Sequence, residues 1–130
     1  TYGAAAVALR RALSRDTALL LGGALERSRA RERPYSFDGA SIGPGILSFR
    51  PDSALLLGAS ATRGVRRYGD VDPFFGLRRE DRTTRLELRV GNKRWRWRDR
   101  GVSFLLAAEK NDSSIDFYGY HKTNLTMVVE

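Results

Sequence analysis

The sequence predicts an all-β chain: about seven antiparallel strands in up-and-down order, forming part of a larger transmembrane β-barrel. Three observations carry this. Residues 84–90 alternate strictly, with Leu86, Leu88 and Val90 on one side and Arg85, Glu87 and Arg89 on the other, as strand side chains with period two must. The connections between extended runs alternate between short and long along the chain. An up-and-down chain then gathers its short turns on one rim and its long loops on the other, as outer-membrane barrels do and Greek-key sandwiches rarely do. Finally, Tyr68, Trp95, Trp97, Phe117, Tyr118 and Tyr120 collect near strand ends, where a girdle at the membrane interface would place them.

Residues 2–13 are rich in Ala and suit a helix on propensity alone. Residues 14–16, Ser-Arg-Asp, are a short polar turn before a matching extended run, so a first strand is expected. Residues 17–29 form the second, with Leu19, Leu21, Gly23 and Leu25 on one side and Ala18, Leu20, Gly22, Ala24 and Glu26 on the other. The Gly22-Gly23 pair disfavours a helix and fits a curved sheet. Residues 31–39 read as a loop. Residues 40–50 are a third strand in which Pro44 removes a ladder donor, predicting a bulge or weak pairing. Residues 51–53, Pro-Asp-Ser, are a tight turn.

The fourth run, residues 54–68, places Leu55, Leu57, Ala59, Ala61 and Val65 opposite Gly58, Ser60, Thr62, Gly64 and Arg66. A long loop over residues 69–81 precedes the fifth strand, residues 82–93. A bulge is expected near Gly91-Asn92, because the later residues slip out of phase with Leu86 to Val90. After a short connection near residues 98–101, residues 102–111 set Val102, Phe104, Leu106 and Ala108 against Ser103, Ala107, Glu109 and Asn111. Residues 112–120 form a third long loop. In the last strand Leu125, Met127 and Val129 alternate with Asn124, Thr126 and Glu130.

With 130 residues the chain is at most one domain. Its first residue is Thr and no signal-peptide pattern follows, so the natural start is expected to be missing. The longest apolar runs, residues 18–21 and 54–57, fall far short of the about 20 residues of a membrane helix. A barrel strand needs only about 9–11 residues, so that route stays open. No cysteine is present, which removes disulfides and thiolate chemistry. The net charge is +8 and the pI about 10.6. Arg supplies nearly all the basic residues and is scattered over every segment, so the charge reads as a preference for Arg rather than a binding patch.

Candidate chemistry is sparse, and no catalytic, cofactor-binding or metal site is assigned. His121 is the single histidine, beside Lys122 at the start of a strand, and reads as a surface residue. Asp70 and Asp72 lack the further ligands that a calcium loop requires. Ser113-Ser114 has no base the sequence can place, and Gly43-Pro44-Gly45 does not match a phosphate-cradling loop. The Lys93-Arg94-Trp95-Arg96-Trp97-Arg98 run interleaves cations with aromatics, as single-strand nucleic-acid sites do. With strands on either side, an interfacial turn is the better reading, with Trp at headgroup depth and Arg reaching lipid phosphates. Arg85, Glu87, Arg89 and Glu109 are the candidate lumen-facing residues. Tyr68, Trp95, Trp97, Tyr118 and Tyr120 are the candidate interfacial aromatics.

The second half also carries a family resemblance. The run Asp72-Pro73-Phe74-Phe75-Gly76-Leu77-Arg78-Arg79-Glu80-Asp81, then Asn92-Lys93-Arg94-Trp95-Arg96-Trp97, then Glu109-Lys110-Asn111-Asp112-Ser113-Ser114-Ile115-Asp116-Phe117-Tyr118-Gly119-Tyr120, resembles the closing part of surface lipoprotein assembly modifiers (Slam proteins). Members show an FG-RR-D loop, an N-R-W segment and an N-SNI--Y-Y loop in this order. The resemblance implies a β-barrel in the bacterial outer membrane that helps move lipoproteins to the cell surface; no enzymatic activity and no cofactor are expected. It implies surface lipoproteins as substrate, outer-membrane lipid as surroundings and an upstream tetratricopeptide-repeat domain of the same protein as partner; the interfacial reading of residues 93–98 adds the expectation of no nucleic-acid partner.

The chain departs from the family by having no helical-repeat region and no terminal aromatic after Val128-Val129-Glu130. Seven is moreover an odd strand count, whereas bacterial single-chain barrels are even. Residues 1–130 are therefore expected to be a fragment of a C-terminal outer-membrane barrel domain, with two strand edges left unpaired. The alternatives are a general porin-like channel, or a soluble β-barrel or sandwich binding a ligand or nucleic acid. The discriminating feature is whether Leu55, Leu57, Leu86, Leu88, Phe104 and Leu106 form an outward belt or an inward cluster.

Overall fold

A computed structural model describes residues 1–98 and 100–129; Asp99, in the expected connection near residues 98–101, and Glu130, in the expected last strand, lie outside the described residues. Seven strands follow one another: β1 (Tyr2–Ala12), β2 (Thr17–Ser28), β3 (Phe37–Arg50), β4 (Leu55–Val71), β5 (Arg78–Trp97), β6 (Arg100–Ser113) and β7 (Tyr120–Val129). They form one open antiparallel sheet in the order of the sequence. Two short 3-10 turns, Arg33–Tyr35 and Asp116–Tyr118, sit in the long loops.

The Ala-rich first segment is a strand, as expected, because pairing with β2 through all eleven of its residues outweighs the helical preference of Ala. The tight turn after β3 closes with Ala54 in the left-handed region (φ 55°) and its amide donating to the Pro51 carbonyl at 3.1 Å. Around Pro44 the β3–β4 ladder lapses between the Ile42–Arg63 and Gly45–Ser60 pairs and resumes in the same register. The outcome is weak pairing, not a bulge. Between Asn92 and Arg96, by contrast, the β5–β6 register does shift, close to the expected bulge.

Four boundaries at the long loops differ from the sequence expectation. β4 and β5 extend to Val71 and from Arg78, β3 starts at Phe37, and β6 runs to Ser113, so each long loop is shorter than its polar stretch. These extensions have polar residues on both faces, which hides the period-two signal. They are held instead by cross-strand ion pairs such as Arg67–Glu80 (3.0 Å) and Arg27–Asp38 (2.7 Å). β5 also runs on to Trp97, carrying the Trp-Arg run in a strand instead of a turn.

Register gives the sheet two unlike faces. One carries Leu9, Leu21, Ile42, Ile46, Leu57, Leu86, Leu88, Leu106, Leu125 and Met127, all of them exposed. Leu55 and Phe104 lie on the same face, half-buried. All six discriminating side chains therefore share one open surface and are not packed into an interior. Arg63 interrupts this leucine face, between Ala61 and Val65 and opposite Thr84, as Arg11 does opposite Leu19. The other face is polar and crowded: Ser103, Asn111 and Asp81 are buried on it, and the only buried apolar residues among those described are Ala18, Ala107 and Ile115.

Glycine makes that crowding possible. A Cβ at Gly43 would collide with the Ala61 carbonyl and stand 2.7 Å from Thr62 Cα, whereas one at Gly22 meets nothing closer than 4.0 Å. Gly43→Ala is therefore expected to cost about 1–3 kcal/mol of unfolding free energy, and Gly22→Ala under about 0.5 kcal/mol. Denaturant unfolding followed by circular dichroism checks the pair; equal effects would refute the crowding argument.

Candidate functional site

The polar face brings together all four candidate lumen-facing residues. Arg85, Glu87 and Arg89 come from alternate positions of β5, and Glu109 stands opposite Arg85 on β6. Arg85 Nε donates to Glu87 at 2.8 Å, and its Nη1 donates to Glu109 at 3.2 Å. Arg89 donates to the Ser103 hydroxyl at 3.1 Å. The ladder continues across the sheet, where Glu109 also accepts from Tyr120 Oη (2.6 Å) and pairs with Lys122 (2.8 Å). Arg66 of β4 reaches across β3 to Glu26 of β2 at 2.9 Å. A depression of about 260 Å³ lies among Glu26, Thr62, Arg66, Arg85, Glu109 and Tyr120.

Opposite charges thus alternate over the β5–β7 part of this face, while on β2 to β4 Gly22, Ser41, Gly43, Gly58 and Ser60 form a small, uncharged patch bounded by the Glu26–Arg66 pair. Toward the short turns the same face becomes apolar at Leu20, Leu47, Leu105 and Val128. Among the described residues no group of three or more His, Cys, Asp or Glu is placed to hold a metal ion. A wall of this kind can line a hydrated space and track the charges of whatever passes.

The aromatic candidates divide. Trp95 and Trp97 lie on the leucine face, since the register shift before Arg96 reverses their phase, and Trp95 meets Phe104 edge-on at 6.0 Å. Tyr68 and Tyr120 instead share the polar face, Tyr68 packed on Phe37 at 5.5 Å and Tyr120 bonded to Glu109. Their parity with Arg66 and with Asn124 was the available signal. Tyr118 sits in the 3-10 turn between β6 and β7.

Tyr118 belongs to a clasp at the long-loop rim that sequence reasoning missed. The Arg79 guanidinium lies 3.7 Å from the Tyr118 ring centroid and 4.5 Å from that of Tyr68, and its Nη2 donates to Asp81 at 2.6 Å. Tyr118 Oη donates to Asp72 at 2.8 Å, while Asn111 Nδ2 donates to the Tyr118 carbonyl at 3.0 Å. Asp72 also accepts from the amides of Phe74 and Phe75, which turns the β4–β5 loop, and Gly76 completes it at φ 66°. Two loops are thereby tied through one buried carboxylate and one stacked cation.

Burial alone would raise the Asp72 pKa, but the Tyr118 hydroxyl, the two loop amides and the Arg79 charge together hold it below the ordinary value. Accepting that bond pushes the Tyr118 hydroxyl up. A lowered folded-state pKa means that Asp72 stabilises the loop above the ordinary carboxyl range, and that this contribution is lost as pH falls through the lowered value. The amide signals of Phe74 and Phe75 are therefore expected to titrate together in nuclear magnetic resonance spectra, with a midpoint below about 3.9, the unperturbed Asp value. A midpoint at or above that value would show that the clasp does not favour the carboxylate.

Compared with known proteins, the chain matches no protein-family model, no curated protein and no solved structure.

Proposed function

We propose that the chain is a section of a β-barrel wall in the bacterial outer membrane, of the lipoprotein-translocating type, and that it acts without catalysis. The observation that carries the membrane reading is the inverted distribution of side chains. The large apolar residues are spread over the open leucine face, and the buried side chains opposite are mainly small or hydrogen-bonded polar groups. The uncharged stretch of the leucine face covers residues 40–48 on β3 and 55–61 on β4. At about 3.3 Å per residue these span roughly 26 and 20 Å along the strand, against an apolar band of about 25 Å in such barrels. Charged residues such as Arg67 and Arg82 bound it on the long-loop side, and Trp95 and Trp97 bound it on the other.

The lipoprotein part of the proposal is supported by the resemblance of the loop motifs to surface lipoprotein assembly modifiers. A second reading, a soluble sheet whose apolar side holds a ligand, draws on a depression of about 610 Å³ bordered by Leu57, Leu88, Phe104, Leu106 and Leu125.

Substitution separates the two. In a lipid-facing belt, Leu88→Arg is expected to destabilise the membrane-inserted protein by about 2–4 kcal/mol, while Glu87→Gln on the opposite face changes insertion little. Refolding into phosphatidylcholine vesicles measures both, and a Leu88→Arg protein that is fully folded in the absence of lipid would favour the soluble sheet. For cargo, the protein is expressed in a Gram-negative host with a lipoprotein reporter. Translocation is expected to expose the reporter to protease added to intact cells. Entry of small solutes without reporter exposure would point to a porin-like channel.

A further inference from the structure

We infer that the short-turn rim is a binding site for anionic phospholipid headgroups, built from Arg50, Arg98 and Arg100 beside the Trp95–Trp97 pair. This rests on the membrane reading above and adds the lipid class that the wall would select.

The first observation is how charge is compensated. Among the described residues, every ion pair lies toward the long-loop rim or in the middle of the sheet, with partners such as Arg27–Asp38, Arg66–Glu26, Arg79–Asp81 and Lys122–Glu109. None includes Arg15, Arg50, Lys93, Arg94, Arg96, Arg98 or Arg100. In sequence, the acids of the short connections are Asp16, Asp52 and Asp99, and Glu130 follows β7, against nine Arg and Lys at residues 10–15, 50 and 93–100. The rim therefore carries an excess of exposed cations.

The second observation is where those cations stand. Arg50 pairs with Leu55 and Arg100 with Trp97, so both extend the rows of the leucine face. Arg98, in the left-handed region at φ 49°, lays its guanidinium 5.0 Å from the Trp97 ring centroid. Trp95 and Trp97 are 40% and 52% exposed. Arg98 and Arg100 stand beside the two indoles and Arg50 extends the same end of the apolar belt on β3; this suits phosphodiesters held at headgroup depth, since the indoles prefer that layer and each guanidinium can grip two phosphate oxygens. Continuity with the leucines favours lipid over nucleic acid, whose bases would need the rings free of hydrocarbon.

The chain has two tryptophans, both at this rim, so tryptophan emission excited beyond the tyrosine absorption band reports on the site. The protein in nonionic detergent is titrated with dioctanoyl-phosphatidylglycerol and, separately, with dioctanoyl-phosphatidylcholine. The expected result is a saturable emission shift with at least about tenfold preference for the anionic lipid, weakening as salt is raised. The triple substitution Arg50→Gln, Arg98→Gln, Arg100→Gln is expected to abolish the preference. Arg31→Gln, Arg33→Gln, Arg78→Gln at the opposite rim is expected to leave it intact.

Equal response to both lipids overturns the proposal while leaving the membrane reading standing, and this arm needs no variant to fold. No emission change with either lipid overturns both. A shift reproduced by inorganic phosphate alone, or a DNA oligonucleotide that displaces the anionic lipid, also overturns it.

Discussion

Strand register is the constraint on which the rest of this structure depends. Side chains alternate with period two, so a slip of one residue in any ladder moves a whole strand's leucines onto the polar face. Six successive ladders hold the alternation from β1 to β7. Along β5 exposure alternates residue by residue from Asp81 to Leu88. The two specialised features of the polar face, the Arg85–Glu109 ladder and the glycine positions, both follow from that phase. Neither would survive a shifted pairing.

The one place where phase changes is informative for the same reason. Without the shift between Asn92 and Arg96, Arg94 and Arg96 would continue the rows of Leu86, Leu88 and Val90, and the tryptophans would enter the charged side. The irregularity reverses this and delivers both indoles to the end of the apolar stripe. A β-bulge that re-aims a side chain at a sheet rim is a recurrent use of the device. Here it reconciles an Arg-Trp-Arg-Trp sequence with a face that otherwise admits few charges.

Much of the architecture was legible because it is local. The alternation at residues 84–90, the turn at residues 51–53, the lapse at Pro44 and the phase slip after Gly91 each sit within a few residues of the signal that predicts them. The grouping of Arg85, Glu87 and Arg89 with Glu109 was legible too, since parity alone puts them on one face. The Arg79 clasp was not. Its partners Tyr68, Asp72, Asp81 and Tyr118 come from β4, β5 and two separate loops, and no spacing rule links them. The strand extensions around Arg67 and Glu80 were hidden as well, because polar residues on both sides leave no hydrophobic period to read.

The division of the polar face has a mechanical corollary. On β2 to β4, below the Glu26–Arg66 pair, it presents glycine, alanine and serine, which give shape and clearance but little field; on β5 to β7 it presents fixed, mutually neutralised charges. Any chain sliding along such a wall would meet a smooth flank on one side and a row of alternating electrostatic detents on the other. Friction against it would then be set less by the bulk of the passenger than by the spacing of the passenger's own charges.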